Sequence, residues 1–335
     1  MLLQEYPYCV FCGNKNFKKT KKQSFKLNFY LDAIIEDLNL SKNIFKKIKT
    51  FQCKNCFILQ NSPWFEKKIA KKIYSNIYGQ HNRSWSNVLN FLKYGKVPYH
   101  GELFEILNKN IKIKNYGEFN SPFMGIFLNY FLKELPYNKK KYFNLYYNLI
   151  KYLNSRQVAG KTKNQQKKYS TQSTKSLKIV NKIKGNLKRK VNKFLITDNS
   201  SLIWGQNDNH KSVNSKSFAN ELLDIEIINI EEKIQIKFDL FGIFHTLDHT
   251  YHPQRILNYA LEKSKFVVIY CHVNKEVEKQ HLFSITNEFL NYLKKKKIFS
   301  VDLTKIINKK YKSPELYFLC TKQKNLKNII DKFHV

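Results

Sequence analysis

Two Cys-x-x-Cys pairs constrain this chain more than any other feature. Cys9-Val10-Phe11-Cys12-Gly13 and Cys53-Lys54-Asn55-Cys56 each place two thiols on one tight turn. Two such knuckles, brought together, supply the four thiolates of a tetrahedral site. Cys9, Cys12, Cys53 and Cys56 are therefore expected to hold one structural Zn2+. Four thiolates leave no open position, so a catalytic zinc is not expected there. Gly13 suits a turn whose backbone N–H groups face the sulfurs. The 40 residues between the pairs exceed what a compact zinc ribbon uses. Their apolar spacing from Phe29 to Ile48 predicts a helix of their own.

The other two cysteines, Cys271 and Cys320, sit in apolar strand-like runs and read as core residues. Six cysteines in 335 residues do not make a disulfide scaffold. The Met1–Glu5 start lacks a charged segment followed by an apolar one, and no run of about 18 apolar residues occurs. The expectation is a cytoplasmic protein with reduced thiols, no signal peptide and no membrane partner.

Charge suggests a different partner. The chain carries 60 Lys and Arg against 25 Asp and Glu, a net +35. A basic surface neutralises phosphates and releases counterions, which is how nucleic acids are held. Yet only Arg83, Arg156, Arg189 and Arg255 are arginines, and Arg is the better reader of guanine edges and the better bidentate phosphate clamp. An abundance of Lys, Asn, Ile, Phe and Tyr is also what an AT-rich genome writes into any protein. The charge is concentrated: Tyr137–Asn192 holds 16 basic residues and no acidic one. This stretch reads as a solvated insertion, with Ile179–Val191 patterned as a basic amphipathic helix.

Between the second cysteine pair and residue 110 the apolar spacing is helical from Trp64 to Gly95. A polar island, Tyr78-Gly79-Gln80-His81-Asn82, interrupts it. The island reads either as the edge of a pocket or as an ordinary turn between helices. Further on, strand and helix signals alternate. Strand-like runs occur at Ile111–Gly117, Phe194–Thr197, Ile225–Ile228, Phe238–Phe244, Phe266–Cys271, Ile298–Leu303 and Glu315–Cys320. Helical patterns fall at Ile126–Leu135, Lys216–Leu223, Pro253–Glu262 and Ile285–Lys294. This alternation predicts an α/β fold with a largely parallel, doubly wound sheet. Ligands of such sheets lie beyond the carboxyl ends of the strands.

The run Phe238-Asp239-Leu240-Phe241-Gly242-Ile243-Phe244-His245-Thr246-Leu247-Asp248-His249, with Pro253 and Leu257, resembles the class I S-adenosylmethionine-dependent methyltransferases. In that family the fourth strand ends in a similar run of histidine, leucine, acid and histidine, and a helix opening with proline follows. Phe266–Cys271 and Gln280-His281-Leu282-Phe283-Ser284 are similar to the family's next strand and the loop after it. The cysteine pairs resemble those of a subgroup with an N-terminal zinc-binding domain, which includes sugar C-methyltransferases. The resemblance implies a Rossmann-like domain with a seven-stranded, mostly parallel sheet, preceded by a small zinc-ribbon-like domain and a helical connector. The implied boundaries are 1–65 for the zinc-binding domain, 66–110 for the connector and 111–335 for the methyltransferase domain, with the basic insertion at 137–192.

The same resemblance implies S-adenosylmethionine as cofactor and a small-molecule acceptor, such as a nucleotide-linked sugar. The cofactor turn would lie in Tyr116–Gly125, using Gly117, Glu118 and Gly125, or alternatively in Thr197–Gly205. Asp198 or Asp208 would bind the ribose. His245 and His249 would line the rim between cofactor and acceptor, His281 would be the base, and Tyr78 and His81 would touch the acceptor. His281 follows Gln280 where the sugar enzymes carry an acid. His245, Asp248, His249 and His252 form a dense cluster, but it spans a loop rather than one helix face, which disfavours a metal site there. The competing expectation is a zinc-ribbon nucleic-acid-binding protein with a vestigial methyltransferase-like domain, using the 137–192 insertion.

Overall fold

The computed structural model describes residues 2–20, 31, 35–36, 38–73, 99–119, 193–197, 226–228, 237–244, 247–250, 252–271, 277–279, 281–308 and 316–333. Tyr78, His81, Gly125, the 137–192 insertion, Asp198, Asp208, His245 and Gln280 lie outside the described residues. In chain order the elements are β1 (Leu3–Gln4), β2 (Phe17–Lys19), α1 (Ile44–Lys47), β3 (Lys49–Cys53), β4 (Leu59–Ser62), β5 (Trp64–Phe65), α2 (Lys67–Ile73), α3 (Tyr99–Ile111) and β6 (Asn115–Phe119). Then come β7 (Lys193–Thr197), β8 (Glu226–Ile228), β9 (Phe238–Phe244), α4 (Pro253–Lys263), β10 (Ser264–Cys271), β11 (Phe283–Ser284), α5 (Phe289–Lys295), β12 (Phe299–Asp302), α6 (Thr304–Asn308), β13 (Leu316–Thr321) and α7 (Lys327–Asp331). Among the described residues, no helix is long and apolar enough to cross a membrane.

The chain divides into two compact units. The first comprises Met1–His81, Asn199–Asp208 and Lys233–Val335; the second comprises Asn82–Asp198 and Asn209–Glu232.

In the first unit β9 is a run of seven residues buried on both faces; six are apolar or glycine, and Asp239 pairs with Lys265 Nζ at 2.8 Å. A one-turn 3-10 helix at Leu247–His249 follows, and then α4. Proline suits the first helical position of α4, because its missing N–H would have no partner there and its φ is already helical. The helix buries Pro253, Ile256, Leu257, Ala260 and Leu261, a single stripe at three- and four-residue spacing. Its cap, Ser264, is extended and is already the first residue of β10, so no loop intervenes. β10 then pairs in parallel with β9, Phe266 opposite Leu240 and Tyr270 opposite Phe244.

The expectation of one seven-stranded, mostly parallel, Rossmann-like sheet is corrected by the strand directions. In the first unit the order is β12-β13-β10-β9. Of its three pairs, β9 with β10 alone is parallel, and β13 runs antiparallel to β10 and to β12. A second sheet of this unit, in the order β11-β4-β3-β2, is antiparallel throughout. The cysteine-bearing region is also no separate ribbon ahead of the rest. Its sheet takes the strand β11 from residues 283–284, which pair with Leu59 and Gln60.

Local bonds explain the mixed directions. At the end of β12, Asp302 Oδ1 accepts the Thr304 N–H at 2.8 Å, and the Leu303 N–H donates to Tyr317 O at 2.8 Å. Thr304 Oγ1 accepts the Tyr317 N–H at 3.0 Å. The chain is thereby turned back onto β12. Alternation of apolar runs encodes the existence of strands but not this reversal. Trp64 likewise belongs to a strand, paired with Gln4, rather than to the helix expected from residue 64 onward. That helix begins at Lys67.

In the second unit β7 pairs in parallel with β6 and with β8. α3 runs to Ile111, and Asn108 Oδ1 accepts the Ile113 N–H at 3.0 Å. The strand starts at Asn115, four residues beyond the expected Ile111.

Candidate functional site

Each cysteine pair forms a closed turn. The Gly13 N–H donates to Cys9 O at 2.8 Å, and the Phe57 N–H donates to Cys53 O at 3.0 Å. The residue after each pair is left-handed: Gly13 has φ 72° and Phe57 has φ 64°. Glycine takes this conformation freely, whereas phenylalanine needs compensation. Phe57 O accepts both Gln52 Nε2 at 3.2 Å and Thr286 Oγ1 at 2.9 Å. The Lys295 ammonium lies 5.3 Å from the centre of the Phe57 ring.

The two knuckles converge. The sulfurs of Cys9, Cys12, Cys53 and Cys56 all lie within 4.8 Å of one another. Cys9 and Cys56 sulfurs are 3.4 Å apart and those of Cys12 and Cys53 are 3.6 Å apart. Zn–S bonds of about 2.3 Å in a tetrahedron put sulfurs about 3.8 Å apart, so the spacing fits. Asn55 Nδ2 donates to Cys12 Sγ at 3.5 Å and the Asn55 N–H to Cys53 Sγ at 3.4 Å. Such donors stabilise thiolates outside the ligand shell. Hydrogen bonds with Cys56 and then Cys9 push the Cys12 thiol well down, and bonds with Cys12 push Cys9 and Cys56 up. The cluster can hold a metal ion such as zinc.

The second feature is the loop around His281. His281 is 5% exposed and Asp248 2% exposed. His281 Nδ1 lies 3.8 Å from Asp248 Oδ2, and its Nε2 lies 3.8 Å from Glu278 Oε2. The cysteine-bearing sheet holds this loop by its backbone. Asn61 Nδ2 donates to His281 O at 2.8 Å and to Glu278 O at 3.2 Å, and the Asn61 N–H donates to Leu282 O at 2.8 Å. Asn61 Oδ1 in turn accepts Thr50 Oγ1 at 2.7 Å. Trp64 Nε1 donates to Lys279 O at 2.9 Å, and Lys279 Nζ reaches Ile48 O at 2.9 Å. Nearby, burial followed by the charges of Asp248 and Asp302 pushes the Cys271 thiol up, which keeps it an inert core group. Cys320 is likewise pushed up to about 12 by burial.

The remaining expected site residues are placed as follows. His249 closes the 3-10 turn that begins at Leu247. Gly117 and Glu118 lie inside β6, opposite Leu195 and Ile196, rather than in the turn after it. Glu118 is fully buried and accepts the Tyr116 hydroxyl at 2.7 Å. Burial, then the Glu118 charge and this bond, push the Tyr116 hydroxyl well up. The pattern of residues did not reveal Asp248 as the partner of His281, nor Asn61 and Trp64 as its supports. Asn61 and His281 are 220 positions apart, and nothing local marks either as belonging to the other.

Compared with known proteins, the chain matches no family model and no curated protein.

Proposed function

We propose that this chain is an S-adenosylmethionine-dependent methyltransferase acting on a small-molecule acceptor such as a nucleotide-linked sugar, with structural zinc held by Cys9, Cys12, Cys53 and Cys56. The observation that carries the reading is the Asp248–His281 pair. It joins the segment after β9 to the loop before β11, the two stretches whose sequences resemble the methyltransferases. β9 ending at Phe244, the turn at Leu247–His249 and the proline-led α4 follow one another as that resemblance requires.

Bound S-adenosylmethionine supplies an electrophilic methyl group that needs little activation, so the protein's work is alignment and removal of a proton from the acceptor. His281 suits proton removal because imidazole titrates near neutrality. The Asp248 carboxylate beside Nδ1 favours the imidazolium formed when Nε2 takes the proton. Glu278 near Nε2 offers a second acceptor for that proton. Gly125 is the candidate for the cofactor turn, since Gly117 and Glu118 lie within β6, and Asp198 or Asp208 is the candidate for the ribose. The 137–192 insertion is left as a candidate nucleic-acid surface, and the cytoplasm as the favoured setting.

The test is transfer of a labelled methyl group from S-adenosylmethionine to a panel of small acceptors, led by nucleotide-linked sugars. His281→Gln should lower turnover by about 10²–10⁴-fold, the usual contribution of a general base, while leaving cofactor affinity unchanged. Undiminished turnover in His281→Gln would remove His281 from the chemistry.

A further inference from the structure

The cysteine-bearing sheet and the histidine loop share three kinds of contact in one compact unit. β11 pairs with β4. Asn61, in the middle of β4 and fully buried, spends both side-chain N–H groups on carbonyls of the loop. Trp64, two residues beyond β4 and also fully buried, fixes the carbonyl of Lys279. β4 itself follows directly on the second knuckle, with Cys56 three residues before its first residue. A continuous path of strand pairing and hydrogen bonds therefore runs from the four-cysteine cluster through the β3–β4 hairpin to the backbone of His281.

We propose that Asn61 is a positioning residue for His281, and that an ion in the four-cysteine site sets the imidazole's orientation toward Asp248 through it. The proposal rests on the reading of His281 as an acid–base group for its relevance to catalysis, but its structural content stands without that reading. The Nδ1 to Asp248 separation is 3.8 Å, longer than a hydrogen bond, so it responds to rotation of the ring. A small rotation either closes it into a bond that fixes the tautomer or opens it and leaves the imidazole without that bias. Asn61 governs such a rotation because it holds the carbonyls at both ends of the Glu278–His281 turn, which the His281 N–H closes onto Glu278 O at 2.9 Å. Among the described residues, Asp248, from the segment after β9, and Glu278, from its own loop, are charged groups that face His281.

The test reads the nitrogen and proton shifts of the His281 imidazole by NMR in the full chain, since these shifts report which ring nitrogen carries the proton. The spectrum is taken zinc-loaded and after removal of zinc with a chelator. Three variants are compared: Asn61→Ala; Trp64→Phe, which loses the bond to Lys279 O and keeps most of its volume; and Lys19→Ala, an exposed residue on β2 at the far side of the sheet, opposite Phe51. Chelation and Asn61→Ala should move the His281 shifts in the same direction. Trp64→Phe should move them less, also in that direction, and Lys19→Ala should leave them in place. If Asn61→Ala fails to fold, Trp64→Phe carries the test alone. Unchanged His281 shifts in folded Asn61→Ala or Trp64→Phe would overturn the proposal, as would unchanged shifts on chelation. Neither result touches the methyltransferase reading, which fails instead if zinc-loaded wild-type protein binds no S-adenosylmethionine.

Discussion

The Phe11 ring stands edge-on to Phe289, with 4.9 Å between ring centres. Phe11 sits inside the first cysteine knuckle and Phe289 opens α5, so the pair joins the metal site to the C-terminal part of the same unit. The Tyr292 ring completes the contact at 6.0 Å from Phe11. Phe11 is 2% exposed. Phe11→Ala should therefore cost about 3–5 kcal/mol, the usual price of a buried Phe→Ala cavity. Urea unfolding would show a lower midpoint at unchanged slope, with metal content retained. A loss below about 1 kcal/mol, the scale of an exposed site, would mean that this contact is not packed as described.

Metal content discriminates among the cysteines. Elemental analysis of purified protein should give about one zinc per chain, since four thiolates complete one ion. Cys53→Ser should abolish it, because Cys53 is a member of the cluster. Cys271→Ser should retain it, because Cys271 is a core thiol in β10 whose sulfur faces Leu316 O at 3.9 Å. Equal zinc content in wild type and Cys53→Ser would contradict the assignment.

Alkaline stability depends in part on Tyr6. Its hydroxyl donates to Phe65 O at 3.1 Å. Burial pushes it up to about 12, against a smaller opposing effect of a hydrogen bond with Gln4. The folded state thus resists its ionisation more than the unfolded chain does. The stability this represents is present below the ordinary tyrosine value of about 10 and is lost as pH rises through the folded value. Unfolding midpoints measured at rising alkaline pH should fall more steeply for wild type than for Tyr6→Phe. Parallel profiles would show that Tyr6 ionises alike in both states.

What the sequence disclosed, and what it hid, follows the range of the interactions. The four cysteines were legible because ligand spacing within each knuckle is a local property. β9 and α4 were legible because an apolar run broken only at Asp239 and a proline-led stripe are local too; β9 spans Phe238–Phe244 as expected, and α4 extends one residue beyond. Strand direction was not legible. The antiparallel course of β13 is set by Thr304 and Leu303 bonding to Tyr317, which no periodicity records. β11 is two residues long and carries no strand pattern of its own; it exists because β4 offers an edge to Phe283 and Ser284. The link from Asn61 to His281 was hidden for the same reason. A short amide side chain in a strand says nothing about which distant carbonyls it will hold.

The central claim is that the chain uses S-adenosylmethionine, and calorimetric titration of zinc-loaded protein with that cofactor and with S-adenosylhomocysteine tests it most directly. The account predicts saturable binding of both, weakened by Gly125→Trp, which would fill the proposed cofactor turn. Absence of heat with either ligand, from protein shown to be folded and to contain zinc, would contradict it.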